Sequence, residues 1–349
     1  EHRIGEGEDT FRGREGNMAV TDIDWQHPLC DAFIKGAESI GIPHNKDYNG
    51  KIQEGVSYAQ RTIHGRRRMS TARGYLRPAM KRKNLTVRTH AHATKILFEG
   101  KKATGIRYSE GGRHGIVTDV FARREVILCG GAVNSPQLLQ LSGVGDPELL
   151  RGLGIDVQHA LPGVGENLRD HYAPRFTARV KNSNSINELA RGPRLWGEIF
   201  KYFTGQKSIL GLSPTLVYCF WHSNETARNS DLPESIGYIR ARNADPFEAP
   251  AIQPNYLADE TDRQVLLSGM KLARRLLQTE PLKPYFDGEL YPGPGVQSDD
   301  ELLAAARERG TTTFHLMGTC RMGPDSDKTA VVDDQLKVRG LEGLRVVDA

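Results

Sequence analysis

The chain has 349 residues, of which 38% are hydrophobic and 26% are charged, and its formal net charge is +4. This length favours two domains over one compact core, and the composition is typical of a globular protein. The small net charge argues against a chain built mainly to bind nucleic acid. No apolar stretch is long enough to span a bilayer as a helix.

In chain order, the first predicted element is a helix over residues 27–41, which Gly41 ends. The basic segment 66–83 follows, and it is predicted to be helical from Ser70 to Met80. Its arginines and lysines could contact nucleic-acid phosphates. However, Tyr75 is its only aromatic residue, so a solvated or cofactor-proximal basic helix is the preferred interpretation.

Four short strands are predicted next, at residues 85–90, 94–100, 104–110 and 115–121. Polar or glycine-containing turns separate them, which indicates an antiparallel meander.

A strand, a glycine turn and a helix are then predicted in succession. The run from Val126 to Cys129 is continuously apolar, as in a strand that is buried on both faces of a parallel sheet. Two glycines, Gly130 and Gly131, follow it, and Ser135 with Pro136 predicts a helix start. Such a turn lets the backbone approach a ligand, and the helix N-terminus suits phosphate. By itself, a turn that only packs the helix on the strand is the commoner case.

The remaining predicted elements have clear amphipathic, capping or strand patterns. They are a helix over residues 146–154, a strand leading into a glycine-rich loop over 155–171, helices over 261–280 and 298–310, and a buried strand in 341–349.

The four cysteines, Cys30, Cys129, Cys219 and Cys320, are widely spread and form no CxxC pair. This spacing argues against a disulfide framework and a zinc ribbon, and it favours free thiols. Cys219 and His222 have ligand-like spacing, but one pair cannot build a four-ligand site. The sequence therefore predicts no metal centre.

One of the eleven histidines lies in an unusual setting. The segment FHLMGTCRMGP, residues 314–324, combines His315 with two glycines, a thiol and an arginine. A histidine titrates near neutrality, so it can accept a hydroxyl proton and later return it. A structural histidine that hydrogen-bonds to the backbone is the commoner case, but Gly318 and Gly323 suggest a backbone that is shaped around a ligand.

The string GGAVNSPQLLQLSGVG, residues 130–145, resembles the second signature of the glucose–methanol–choline (GMC) flavoprotein oxidoreductases. Further segments resemble the family in the same order, from about residue 20 to the end. They are DYNGKIQEG, RRRMSTARGYL, NLTVRTHAHATKIL, LPGVGENLRDH, ADPFEAPAIQPNYL, FHLMGTCRMGP and GLEGLRVVDA. The resemblance is strongest to the choline dehydrogenase-like and alcohol dehydrogenase branch.

The resemblance implies a mixed α/β (α+β) fold with a discontinuous FAD-binding domain. A second, substrate-binding domain is built on an antiparallel sheet and helices. The expected division is a substrate- or cap-associated segment at 1–50, FAD-binding segments at 51–170 and 313–349, and a substrate-binding domain at 171–312 that is shortened near 232–233.

The resemblance also implies a reaction, in which FAD oxidises an alcohol to an aldehyde or ketone by accepting hydride at flavin N5. His315 would be the histidine of the family's H-x-x-G-T motif and the acid–base group. A dehydrogenase is favoured over an oxidase. The residues expected to bind FAD are Ala93, Gly130, Gly131, Asn134, Ser135, Asp348 and Ala349.

The family's GxGxxG unit and its second catalytic position do not occur within these 349 residues. The isolated chain is therefore expected to bind FAD weakly and to show no turnover. Two alternatives stand beside a catalytic function. One is a non-catalytic remnant or scaffold of the same fold, and the other is a hydroxynitrile lyase of the family.

The expected partners are a small-molecule alcohol and an electron acceptor, which could be a quinone, a dye-like acceptor or oxygen. Neither nucleic acid nor a transmembrane segment is expected. A cytoplasmic location is predicted, with peripheral membrane attachment as the alternative.

Overall fold

The computed structural model describes residues 1–213, 215–223 and 235–348. The predicted shortening near 232–233 and the predicted FAD contact at Ala349 lie outside the described residues. The fold is mixed α/β, as predicted. Two compact units divide the chain. The first comprises Glu1–Val87, Pro174–Ser230 and Val265–Arg309, and the second comprises Arg88–Ala173, Asp231–Gln264 and Gly310–Ala349.

These units follow contacts between residues, whereas the predicted domains follow ligand-binding roles. The two divisions differ most at residues 51–87, which belong to the first unit, and at 235–264, which belong to the second. The assignment of FAD-binding and substrate-binding domains therefore remains a prediction.

The predicted helices that begin near residues 28, 146, 261 and 298 are all present. Their caps explain where they start, since Asp146 accepts from the Glu148 N–H and Ser298 forms the expected reciprocal pair with Glu301. No described helix is long and apolar enough to cross a membrane. The helices are α1 Pro28–Ser39, α2 Arg77–Ala79, α3 Gly131–Leu141, α4 Pro147–Gly152, α5 Ile186–Leu189, α6 Gly192–Phe203, α7 Glu260–Leu277 and α8 Asp299–Arg309, with a π-helical turn at Ala72–Leu76 and a 3₁₀ turn at Ile209–Gly211.

The first unit holds short paired strands around two small cores. One core gathers Ile34, Val56 and Leu276, and the other gathers Met270 and Leu302 between α7 and α8. Its strands are β1 His2–Ile4 and β2 Ala19–Thr21, which are parallel, and the antiparallel pairs β3 Gly55–Tyr58 with β14 Val217–Phe220, β4 Ile63–His64 with β5 Arg67–Arg68, and β13 Thr177–Val180 with β17 Phe286–Tyr291.

The second unit is built on the predicted meander and on a parallel strand pair. Ile96, Leu139, Val144, Val331 and Leu344 lie in one buried cluster that joins these elements to α3. Its strands are the meander β6 Ala91–Glu99, β7 Lys102–Glu110 and β8 Ile116–Phe121, the parallel pairs β9 Val126–Leu128 with β19 Leu344–Val346 and β10 Val144–Gly145 with β11 His159–Ala160, and the antiparallel pairs β12 Tyr172–Ala173 with β18 Thr311–Thr312 and β15 Tyr238–Arg240 with β16 Ala251–Gln253.

Two strand predictions were wrong. Residues 85–90 are irregular, because the chain crosses there from one compact unit to the other rather than along a sheet. The strand β9 is parallel to its partner, as predicted, but Ile127 is 51% exposed. Only one face of β9 therefore lies in the core of the described structure.

The predicted start of α3 at Ser135 was also wrong, because the helix begins at Gly131 with Gly130 as its N-cap. The Ser135 hydroxyl lies inside the helix and accepts a hydrogen bond from the Gly130 N–H at 3.0 Å. Ser135 thus supports the preceding turn from one helical turn further on. Pro136 is likewise interior to the helix, where it removes a backbone donor.

Replacing Leu139 with alanine tests the core of the second unit. Leu139 is fully buried in that cluster, so we expect a loss of about 2–5 kcal/mol in the free energy of unfolding, measured by urea denaturation. The matched control is Val117→Ala on exposed β8, which should change it by less than about 0.5 kcal/mol. Equal effects of the two substitutions would contradict the assignment of this core.

Candidate active site

The glycine turn before α3 brings together residues that are distant in the sequence. Asp348 accepts hydrogen bonds through Oδ2 from the Gly131 N–H at 2.9 Å and from the Ser135 hydroxyl at 2.5 Å. Parallel pairing of β9 and β19 carries Asp348 to this position, because both strands end beside the turn. A carboxylate here also complements the partial positive charge of the helix N-terminus.

Gly131 adopts a left-handed conformation with φ +75°. No heavy atom lies within 4 Å of the place where a Cβ would stand. Backbone conformation, rather than crowding, is therefore what favours glycine at this position. The space beside the turn leaves the backbone open to a ligand.

A cavity of about 550 Å³ lies next to this turn, between β6, β7, β8, β9 and α3. Four of the predicted cofactor residues line it, namely Ala93, Gly130, Asn134 and Ser135. The other lining side chains are largely apolar, which is typical of small-molecule sites. Gly131 and Asp348 adjoin it through Ser135, whereas His315 is not among its lining residues.

His315 lies on a loop that is held against the segment preceding the strand β12. Arg169 and Met317 exchange two backbone hydrogen bonds of 3.0 Å each, and the His315 N–H donates to Asp170 Oδ1 at 3.0 Å. The imidazole is exposed, so a substrate hydroxyl could reach it.

A second histidine, His171, faces His315 edge-on. The ring centroids are 5.7 Å apart and the planes make an angle of 88°. Two neighbouring imidazoles can accept and release protons. His171 was not among the site residues predicted from the sequence. The available signal was its place at the end of the family-like string LPGVGENLRDH.

A buried hydroxyl joins the loop of His315 to the first turn of α3. Because Pro136 has no N–H, the Ala132 carbonyl lacks its usual partner four residues later. The Thr319 hydroxyl donates to that carbonyl at 2.6 Å, and Thr319 is fully buried. This hydrogen bond therefore holds the H-x-x-G-T segment at a fixed position beside the glycine turn.

The preceding residue, Gly318, is also constrained. Its φ is +91°, and a Cβ would lie 2.4 Å from the Asn167 carbonyl oxygen. Any side chain there would push the loop away from the glycine-rich segment that contains Asn167.

The thiols of Cys129 and Cys320 lie near the Asp348 carboxylate. Burial, with a smaller contribution from the Asp348 carboxylate, raises the pKa of Cys129 and of Cys320. Both thiols therefore remain protonated at neutral pH and are poor nucleophiles. All four cysteines are free. Across the described residues, no group of three or more His, Cys, Asp or Glu could hold a metal ion.

Comparison with known proteins identifies a family. Residues 5–173 and 233–349 match the two family models described as GMC oxidoreductase. The oxygen-dependent choline dehydrogenase of Staphylococcus saprophyticus is 37% identical over 98% of this chain and 66% of that protein. The human mitochondrial choline dehydrogenase is also 37% identical, over 98% of this chain and 62% of that protein. The chain thus spans just under two thirds of the length of these relatives.

Solved structures of similar fold also match this chain. An FAD-dependent oxidoreductase from Chaetomium thermophilum has a TM-score of 0.88 and 24% identity, covering 98% of this chain and 70% of that chain. The pyridoxine 4-oxidase from Mesorbium loti has a TM-score of 0.77 and 26% identity, covering 98% and 68%. A formate oxidase of Aspergillus oryzae, whose description mentions FAD modification, has a TM-score of 0.85 and 23% identity over 97% and 68%. The predicted fold, family and family cofactor are confirmed.

Substituting Thr319 tests the link between the two segments. Thr319→Val keeps the shape but leaves the Ala132 carbonyl without its donor, so the free energy of unfolding should fall by about 1–3 kcal/mol. Thr319→Ser keeps the hydroxyl and should lose less. Thermal and urea unfolding of both variants measure the difference. A valine variant as stable as the serine variant would show that this hydrogen bond contributes little.

Proposed function

Since this chain belongs to the GMC oxidoreductase family, we propose that it carries out FAD-dependent oxidation of an alcohol to an aldehyde or ketone. The observation that supports this proposal is the hydrogen bond from the Thr319 hydroxyl to the Ala132 carbonyl. It connects the loop of His315 to the glycine turn at Gly130 and Gly131. The segments proposed to hold the cofactor and to handle the proton both belong to the second compact unit. A dehydrogenase is proposed rather than an oxidase.

The residues proposed to hold FAD fit a dinucleotide. Glycines at the start of α3 and the helix N-terminus suit a phosphate that approaches the backbone. The cavity beside β6 has the size and apolar lining for part of a flavin dinucleotide. When bound, FAD supplies the acceptor for the hydride that leaves the alcohol carbon. The residues proposed to hold FAD are Ala93, Gly130, Gly131, Asn134, Ser135 and Asp348, together with Ala349, which follows Asp348 in the sequence.

His315 is proposed to take the hydroxyl proton of the alcohol as hydride leaves the carbon, and to release that proton to solvent. Its exposed ring and its backbone anchor on Asp170 support this role, because a general base must be both reachable and held in place. His171 is proposed as its neighbour in handling that proton.

The substrate is proposed to be a small-molecule alcohol. The names of the relatives make choline the first alcohol to test. The electron acceptors to test are quinones, dyes and oxygen. Oxygen is included because the staphylococcal relative is named as oxygen-dependent. A cyanohydrin included in the same screen separates oxidation from the lyase alternative.

The isolated 349-residue chain is expected to bind FAD weakly, because it contains no GxGxxG unit to add phosphate contacts. We expect a colourless purified protein and only weak quenching of flavin fluorescence on titration with FAD. Absorbance near 450 nm that copurifies with the chain would contradict this expectation.

The reaction itself is tested in a chimera. This chain replaces the matching region of the Staphylococcus saprophyticus relative, which supplies the remaining third of the protein. Bleaching of the flavin by alcohol is followed anaerobically. His315→Gln should slow it by about 10²–10⁴-fold, the usual contribution of a general base.

The matched control is His114→Gln, at an exposed histidine between β7 and β8, and it should bleach at the unmodified rate. Two results would refute the proposal. One is a chimera that binds FAD but is never bleached by any alcohol, and the other is a His315→Gln variant as fast as the control.

A further inference from the structure

The loop that carries His315 closes around the side chain of Asp170. This carboxylate is 4% exposed and accepts three hydrogen bonds. The His315 N–H donates to Oδ1 at 3.0 Å, and the Thr312 hydroxyl donates to Oδ2 at 2.5 Å. The Tyr256 hydroxyl donates to the same Oδ2. A buried carboxylate with several donors is costly to disturb.

Strand pairing alone does not shape this loop. The ladder of β12 and β18 pairs Tyr172 with Thr312, and pairing resumes where Met317 meets Arg169. Residues 313–316 on one side therefore face only 170–171 on the other. The extra residues bulge outward, and the bulge leaves backbone donors that a regular ladder would have paired.

The bulge also contains an unfavourable backbone conformation. Phe314 has φ +62°, a left-handed value that is uncommon for a residue with a bulky side chain. Its ring is 80% exposed, so core packing does not hold it there. Its N–H donates to the Thr312 hydroxyl at 2.8 Å, and that hydroxyl in turn donates to Asp170. Such conformations persist only when their surroundings fix them.

The chemistry of the three donors explains why a carboxylate is present. Burial, followed by the hydrogen bond to Asp170, raises the pKa of Tyr256 to about 12, so its hydroxyl remains a donor at neutral pH. A carboxylate offers acceptors only, whereas an asparagine at the same place would replace one oxygen with an NH2 donor, which would oppose either the His315 N–H or the two hydroxyl protons.

We propose that Asp170 is the positioning residue of the candidate active site, fixing the loop so that the His315 imidazole stands against that of His171. The expected effect of Asp170 on the reaction rate rests on the function proposed above. The geometric claim is independent of it, because every contact lies within the second unit.

The first test measures amide hydrogen exchange in the 349-residue chain. In Asp170→Asn, amides of residues 313–317 should exchange on the order of ten-fold faster, because the loop opens locally. Exchange in β6 and β7 should not change. Ser109→Ala is the matched control, since it removes another buried hydroxyl of the same unit and should leave the loop unchanged. Unchanged exchange in the loop of Asp170→Asn, or equally faster exchange throughout the unit, would overturn the proposal.

Two milder variants keep the test decisive if Asp170→Asn does not fold. Tyr256→Phe and Thr312→Val each remove one donor to the carboxylate. Each should raise exchange in the loop by a smaller factor, and the valine variant should raise it more because it also removes the acceptor of the Phe314 N–H. If neither variant changes exchange in the loop, the proposal is wrong.

A second readout separates positioning from mere stability. The rate at which diethyl pyrocarbonate modifies His315, located by peptide mapping, should change in Asp170→Asn and not in Ser109→Ala. In the chimera, Asp170→Asn should lower the rate of flavin bleaching by roughly ten- to a hundred-fold, with little change in the alcohol KM. A chimera that is never bleached would refute the proposed function, while exchange and modification would still decide the role of Asp170.

Discussion

The arrangement of this site depends on one hydrogen bond, from the Thr319 hydroxyl to the Ala132 carbonyl. Pro136 creates the need for it by withdrawing a donor inside α3. An unpaired carbonyl in a buried position is costly, so the chain that carries His315 must pass where its threonine can reach. The donor that Pro136 removes therefore fixes where Thr319, four residues after His315, meets the first turn of α3.

Around that contact, two carboxylates accept hydrogen bonds from residues that are distant from them in the sequence. Asp348 accepts from Gly131 and Ser135, which are more than 200 residues away in sequence, and Asp170 accepts from three groups around His315. Two carboxylates therefore fix the two segments, one at the helix N-terminus and one inside the bulged loop. The two thiols nearby stay neutral because desolvation of the sulfur atoms and the Asp348 carboxylate raise their pKa, although Cys129 is exposed and Cys320 only half-buried. This leaves the imidazoles of His171 and His315 as the groups suited to moving protons.

Local patterns predicted the regular elements well and the irregular ones badly. The amphipathic helices and the meander followed from periodicity and caps, because those signals arise within a few residues. The start of α3 was missed because Ser135 looked like a cap, whereas its hydroxyl turns back to Gly130 and across to Asp348. The predicted strand at 85–90 failed because a strand needs a partner, and residues 85–90 alone cannot show whether one is present.

The sequence by itself determined the family, through an ordered series of segments, and with it FAD as the family cofactor and His315 as the catalytic candidate. It also determined the helices and the meander, since their hydrophobic spacing is local. Only the tertiary structure showed that His171 faces His315, that Asp170 holds their loop, and that Thr319 replaces a donor lost to Pro136. Those contacts join residues that are far apart in the chain, and their existence depends on burial and direction, which no local pattern contains.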